Sequence, residues 1–129
     1  MHCITVRLIN NEKDMYTYKA KLIRVVDGDT IDAEIDLGFD TIVRKRIKLY
    51  GINTPDTRTK DLIEKEKGHA AKQRLTELIN SEFVVETILN KRGKYGRVLG
   101  IVYNITSNDE TVNINETLVN EGHAVKYLL

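Results

Sequence analysis

Asp27-Gly28-Asp29-Thr30 joins two runs that read as strands, and a chain with such a turn is committed to an antiparallel hairpin. Before it, Tyr18 to Val26 is rich in β-branched and aromatic residues. After it, Ile31, Ala33, Ile35 and Leu37 alternate with Asp32, Glu34 and Asp36. A period of two marks a half-buried strand. Asp-Gly suits the turn because glycine takes positive φ without steric cost. The same residues fit a second role, since two carboxylates on a constrained turn can aim oxygens at one hard cation. The turn alone does not choose between the two.

The rest of the chain extends this pattern. Residues 2–8 read as a short edge strand and Met15–Val26 as a long strand, followed by the return strand Thr30–Leu37. A loop at Gly38-Phe39-Asp40 leads to a third strand, about Thr41–Tyr50, with Val43, Ile47 and Leu49 on one face. Arg44, Arg46 and Lys48 occupy the other face, either as a solvated surface or as a cationic row beside a phosphate. In the next loop Asn53, Thr54 and Asp56 offer oxygen donors within four residues, around Pro55, the only proline. Residues 59–68 read as irregular or loosely helical, and Ala71, Leu75, Leu78 and Ile79 place an amphipathic helix over His69–Asn80. His69 reads as a surface residue. A strand at Glu82–Leu89 precedes a basic, glycine-punctuated loop, residues 90–97, with Lys94, Tyr95 and Arg97. Such a loop is either a solvated hairpin tip or a site of phosphate approach with a ring for base stacking. A strand at Val98–Tyr103, a polar excursion at Ile105–Val112, a helix at Asn113–Glu121 stopped by Gly122, and an extended piece to Leu129 complete the chain.

Composition narrows the classes. The 129 residues, 41% hydrophobic and 30% charged, suit one globular domain spanning 1–129. A formal net charge of +1 excludes polyanion binding driven by bulk charge, so any such binding needs local clustering. Cys3 is the sole cysteine, which rules out an internal disulfide and a cysteine-based zinc site. No apolar run is long enough to span a bilayer, and residues 1–7 lack a basic-then-apolar leader pattern. The expectation is a cytoplasmic protein without membrane association, although a leader already removed leaves no trace.

Taken in order, the Asp27-Gly28-Asp29-Thr30 turn, Gly51-Ile52-Asn53-Thr54-Pro55-Asp56, Lys94-Tyr95-Gly96-Arg97 and the segment Val112 to Gly122 resemble the staphylococcal nuclease (thermonuclease) family, over about residues 18–127. The resemblance implies a mainly β fold with α: a five-stranded OB-type barrel with two packed helices, the family's terminal third helix being absent. It implies calcium-dependent hydrolysis of phosphodiester bonds in single-stranded DNA or RNA by a monomer. Carried over by position, Asp29 matches the first metal aspartate, with Asp27 as its acidic neighbour, and Thr54 the carbonyl ligand. Arg97 matches the second phosphate-clamping arginine, Lys94 and Tyr95 the nucleotide-binding pair, and Tyr127 falls near a base-contacting tyrosine. Arg46 joins the nucleic-acid-binding set as part of the cationic row.

Three positions depart from the pattern. Asn53 stands where a second metal aspartate is expected, Lys48 where the first arginine is expected, and Asp56 in place of the general-base glutamate. Asn53 removes one negative charge from the ion site. Lys48 keeps its charge but lacks the planar fork. Asp56 falls about 1–1.5 Å short of a glutamate carboxylate, a displacement that can cost roughly 100-fold in rate. These departures keep two alternatives open: an OB-type module that binds single strands with little or no catalysis, and a protein-interaction domain that retains only the fold.

Overall fold

A computed structural model describes residues 15–88 and 98–127. The edge strand expected at residues 2–8 and the basic loop at 90–97 lie outside the described residues. The elements, in order, are β1 (Met15–Asp27), β2 (Thr30–Gly38), β3 (Thr41–Leu49), β4 (Ile52–Asn53), α1 (Leu62–Leu78), β5 (Glu82–Ile88), β6 (Val98–Ile105), β7 (Thr111–Asn113), α2 (Ile114–Asn120) and β8 (Val125–Lys126).

β1 is long enough to serve two partners. Its first half pairs with β5 from Met15↔Ile88 to Lys21↔Glu82, and its second half with β2 from Lys19↔Asp36 to Asp27↔Thr30. Register shifts between Leu22 and Arg24 and between Val25 and Asp27 mark irregularities where the strand bends. β3 follows β2 antiparallel, β6 follows β5 antiparallel, and β3 meets β6 in parallel at Ile47↔Val98, Lys48↔Leu99 and Leu49↔Gly100. That last pairing closes β3-β2-β1-β5-β6 into a five-stranded barrel, as expected.

The alternation read from the sequence is the alternation of the barrel wall. Ile31, Ala33 and Ile35 of β2, Ile47 and Leu49 of β3, Phe83 and Val85 of β5 and Val102 of β6 are buried inside. Gly100 is required there, because a Cβ would stand 2.6 Å from Val85 Cγ2. Leu75 of α1 with Ile114 and Leu118 of α2 join the same core. The buried Asn115 ties helix to barrel: its Oδ1 accepts from Val102 N, while its Nδ2 donates to Tyr50 O at 2.9 Å and Gly100 O at 3.2 Å. No helix among the described residues is long and apolar enough to cross a membrane.

Three boundaries differ from the sequence reading. α1 begins at Leu62, seven residues before His69, because Asp61 caps it through Ile63 N and Glu64 N and good helix formers follow. Those first turns are exposed, so they carry no apolar period to read. The excursion after β6 contains β7, which pairs back onto β6 from Tyr103↔Asn113 to Ile105↔Thr111. The extended segment after α2 also finds a partner, as β8 pairs with β4 at Ile52↔Lys126 and Asn53↔Val125. Gly122 does end α2, with φ +84.

Candidate active site

The two oxygen-rich turns meet. Thr54 N donates to Asp29 Oδ2 at 3.2 Å across a separation of 25 residues. Both turns are held against one helix face by close contacts at glycine. A Cβ on Gly28 would lie 2.7 Å from Ala71 Cβ, and one on Gly68 would lie 2.8 Å from the carbonyl oxygens of Pro55 and Asp56. α1 therefore seats the first turn at Ala71 and the second turn one helical turn earlier, at Gly68.

Asp29 is the buried centre of the site, with 6% of its surface exposed. Its Oδ1 accepts from Thr30 Oγ1 at 3.0 Å, and its Oδ2 accepts from Thr54 N and faces Lys48 Nζ at 3.1 Å. Lys48 reaches it from β3, where it pairs with Thr30. Its ammonium also donates to Ile52 O at 2.9 Å and Leu49 O at 3.4 Å. Asp27 accepts from Thr57 Oγ1 at 2.7 Å and faces Arg58 at 3.5 Å. Asp56 is exposed, and its Oδ1 accepts the backbone N–H of Arg58 at 2.8 Å.

These groups border a cleft of about 830 Å³. Asp27, Asp29, Lys48, Asn53, Thr54 and Asp56 all line it, so the structure brings six of the expected site residues together. Arg46 is not among the lining residues. Its guanidinium makes two bonds to Asp32, at 2.8 and 3.2 Å, on the outer face of the β2–β3 pair, where Arg24 binds the same carboxylate. The Arg46 hydrogen bonds hold the Asp32 carboxyl below the usual carboxylate range, with Arg24 adding to the effect against the opposing cost of burial. Tyr127 is half exposed; its backbone N–H binds Gly51 O at 2.8 Å and its residue does not line the cleft. Lys94, Tyr95 and Arg97 lie outside the described residues.

The cleft also contains residues that the sequence reading passed over: Asp61, Glu64 and Lys67 of α1 and its cap, and His123 after α2. Asp61 and Glu64 carry a cap-like spacing, while only position signals the other two. Lys67 precedes the loop-docking Gly68, and His123 follows the stop at Gly122. Among the described lining residues five carboxylates face two ammonium groups, Lys48 and Lys67.

The model of the staphylococcal nuclease homologue family matches residues 46–129. The chain belongs to that family. It is 35% identical over 127 residues to an uncharacterized protein of Methanocaldococcus jannaschii, covering 86% of this chain and 60% of that one. It is 31% identical over 114 residues to a micrococcal nuclease of Shigella flexneri, covering 85% and 59%. A third relative, the SPbeta prophage-derived endonuclease YokF of Bacillus subtilis, is 34% identical over 108 residues, covering 80% and 32%. The chain thus spans about three-fifths of the first two proteins and a third of the last. The family match begins within β3, yet β1 and β2 supply the Asp27–Thr30 turn and complete the barrel.

Proposed function

We propose that the protein is a calcium-dependent nuclease that hydrolyses phosphodiester bonds of single-stranded DNA or RNA, acting as a monomer. The observation that carries this reading is the Thr54–Asp29 hydrogen bond, which joins the two turns in one cleft beside Lys48. Similarity to two relatives, a micrococcal nuclease and an endonuclease, supports it.

The donor set suits a hard cation. Asp29 offers a carboxylate, Asn53 an amide oxygen and Thr54 a backbone carbonyl, all oxygen. An ammonium already stands against Asp29 Oδ2 and Ile52 O as a stand-in cation. The sign of the cleft points the same way, because a phosphodiester entering among more carboxylates than cations needs added positive charge. When bound, calcium supplies Lewis-acid polarisation of a phosphate oxygen. The chain's residues do the rest. Asp56 positions the attacking water from the loop docked at Gly68. Lys48 and Arg97 stabilise charge developing on phosphorus. Lys94 and Tyr95 steady the adjacent nucleotide, with Tyr127 at the margin. Asp27 adds negative charge beside Asp29 and braces the second turn through Thr57.

The test is cleavage of labelled single-stranded DNA in calcium, magnesium, manganese or EDTA, with Asp29→Ala and Arg97→Ala as controls. Calcium-dependent cleavage lost in both variants is expected. Equal cleavage by wild type, variants and chelated protein rejects the proposal. One observation favours a second reading, a binding module: the Lys48 ammonium and Asp56 Oδ1 are already engaged within the protein. Tight oligonucleotide binding in EDTA without cleavage in any metal would select it.

A further inference from the structure

The Lys48 ammonium has three protons and three oxygens around it. Asp29 Oδ2 lies at 3.1 Å, Ile52 O at 2.9 Å and Leu49 O at 3.4 Å. The side chain is 19% exposed and that of Asp29 9%, so this is an inward ion pair, largely shielded from water. A buried carboxylate requires a counter-charge, and Lys48 supplies one. Two consequences follow. The carboxylate offered to an incoming ion is already neutralised by a neighbour of the same sign as that ion. The lysine also has no proton left for a substrate phosphate while it stays where it is.

We infer that the Lys48 ammonium holds the cleft's cation seat at Asp29 Oδ2, and that a divalent ion can take that oxygen only as Lys48 lets go. The inference rests on the calcium-dependent reading and adds a control to it. The four-carbon stem lets the released ammonium turn from Asp29 toward the cleft without moving β3. Ion entry and the arming of the phosphate contact are then one event. Lys48 acts as a positioning residue in the ion-free protein and meets substrate only after release.

The experiment is calorimetric titration of calcium chloride into the full chain without substrate, comparing wild type with Lys48→Met. Methionine keeps the length of the stem and removes the competing charge. Calcium should bind the variant at least about tenfold more tightly, the order expected when one like charge a few ångströms away is removed. Equal or weaker binding overturns the inference. A second measurement on the wild type covers a variant that fails to fold. The Lys48 Nζ proton resonance should be protected from exchange in EDTA and should shift or vanish as calcium saturates, whereas a resonance that stays in place overturns the inference. Failure of the two readings is separable. A wild type that cleaves DNA with calcium while the variant shows no tightening removes the Lys48 seat alone. A wild type that cleaves nothing while the variant gains calcium affinity removes the nuclease reading alone.

Discussion

Substituting alanine for Gly68 sets two opposed effects against each other, and their magnitudes decide the outcome. Gly68 lies inside α1, where alanine is favoured over glycine by about 1 kcal/mol through reduced backbone freedom in the unfolded chain. The new Cβ would stand 2.8 Å from both Pro55 O and Asp56 O, and 2.9 Å from the Asp56 carbonyl carbon. These are backbone atoms and cannot rotate away. Ordinary contact begins near 3.4 Å, so the loop must retreat by about 0.6 Å. Overpacking of this kind costs about 1–3 kcal/mol, which matches or exceeds the helix gain. Net stability should therefore fall by up to about 2 kcal/mol, read from urea denaturation. Activity should fall further, because the retreating segment carries Asp56 and follows Thr54 directly. If Asp56 positions water as proposed, a sub-ångström displacement of its carboxylate should cost about tenfold in kcat, approaching 100-fold if the shift nears 1 Å. A Gly68→Ala protein that is more stable than wild type and fully active would refute the view that this glycine sets the spacing between helix and loop.

Four further outcomes follow from the same geometry. Asn115→Ala removes a buried amide from three backbone groups and should cost about 3 kcal/mol in urea denaturation; Gly100 O retains Tyr50 N as a donor, which limits the loss. Asp61→Ala should cost about 1 kcal/mol and fray the start of α1, seen as faster amide exchange at Ile63 and Glu64. Asn53→Asp adds a carboxylate to the cleft and should tighten calcium binding about tenfold by calorimetry. The Asp32 carboxyl is lowered in the folded protein, chiefly by Arg46; its contribution to stability is thus full above about pH 4 and is lost as pH falls through the lowered value. Asp32→Asn should flatten the drop in Tm as pH falls below about 4, and an unchanged drop would show that the Asp32 ion pairs do not contribute.

How much was legible in the sequence depended on whether a residue's surroundings were local. The β1–β2 hairpin and the third strand were legible because period-two alternation and an Asp-Gly turn are statements about neighbours in the chain, but the reason for the glycine was not: Gly28 does not take positive φ, and its missing side chain instead makes room for Ala71 of α1. The barrel's closure was not, since nothing in Ile47 or Val98 announces their parallel pairing; it came through the family resemblance. The start of α1 was hidden because its exposed turns have no buried stripe, though Asp61 three residues before Glu64 was a readable cap. Arg46 and Lys48 share a strand face and looked equivalent. Register separates them: Arg46 is opposite the acidic Asp32 on the outer wall, while Lys48 is opposite Thr30, beside the turn, where it can bend inward to Asp29.

That difference changes the meaning of the lysine. Read as a substitute for a phosphate-clamping arginine, Lys48 is a weakened copy with one function lost. In the cleft its oxygens come from three directions: a carboxylate on one turn, the carbonyl of its own neighbour and the carbonyl of β4. A tetrahedral ammonium can address three diverging acceptors at once. A planar guanidinium, whose donors lie in one plane, addresses two parallel ones and would leave Ile52 O or Asp29 Oδ2 without its bond. Lys48→Arg should accordingly disturb the apo site rather than restore a stronger one.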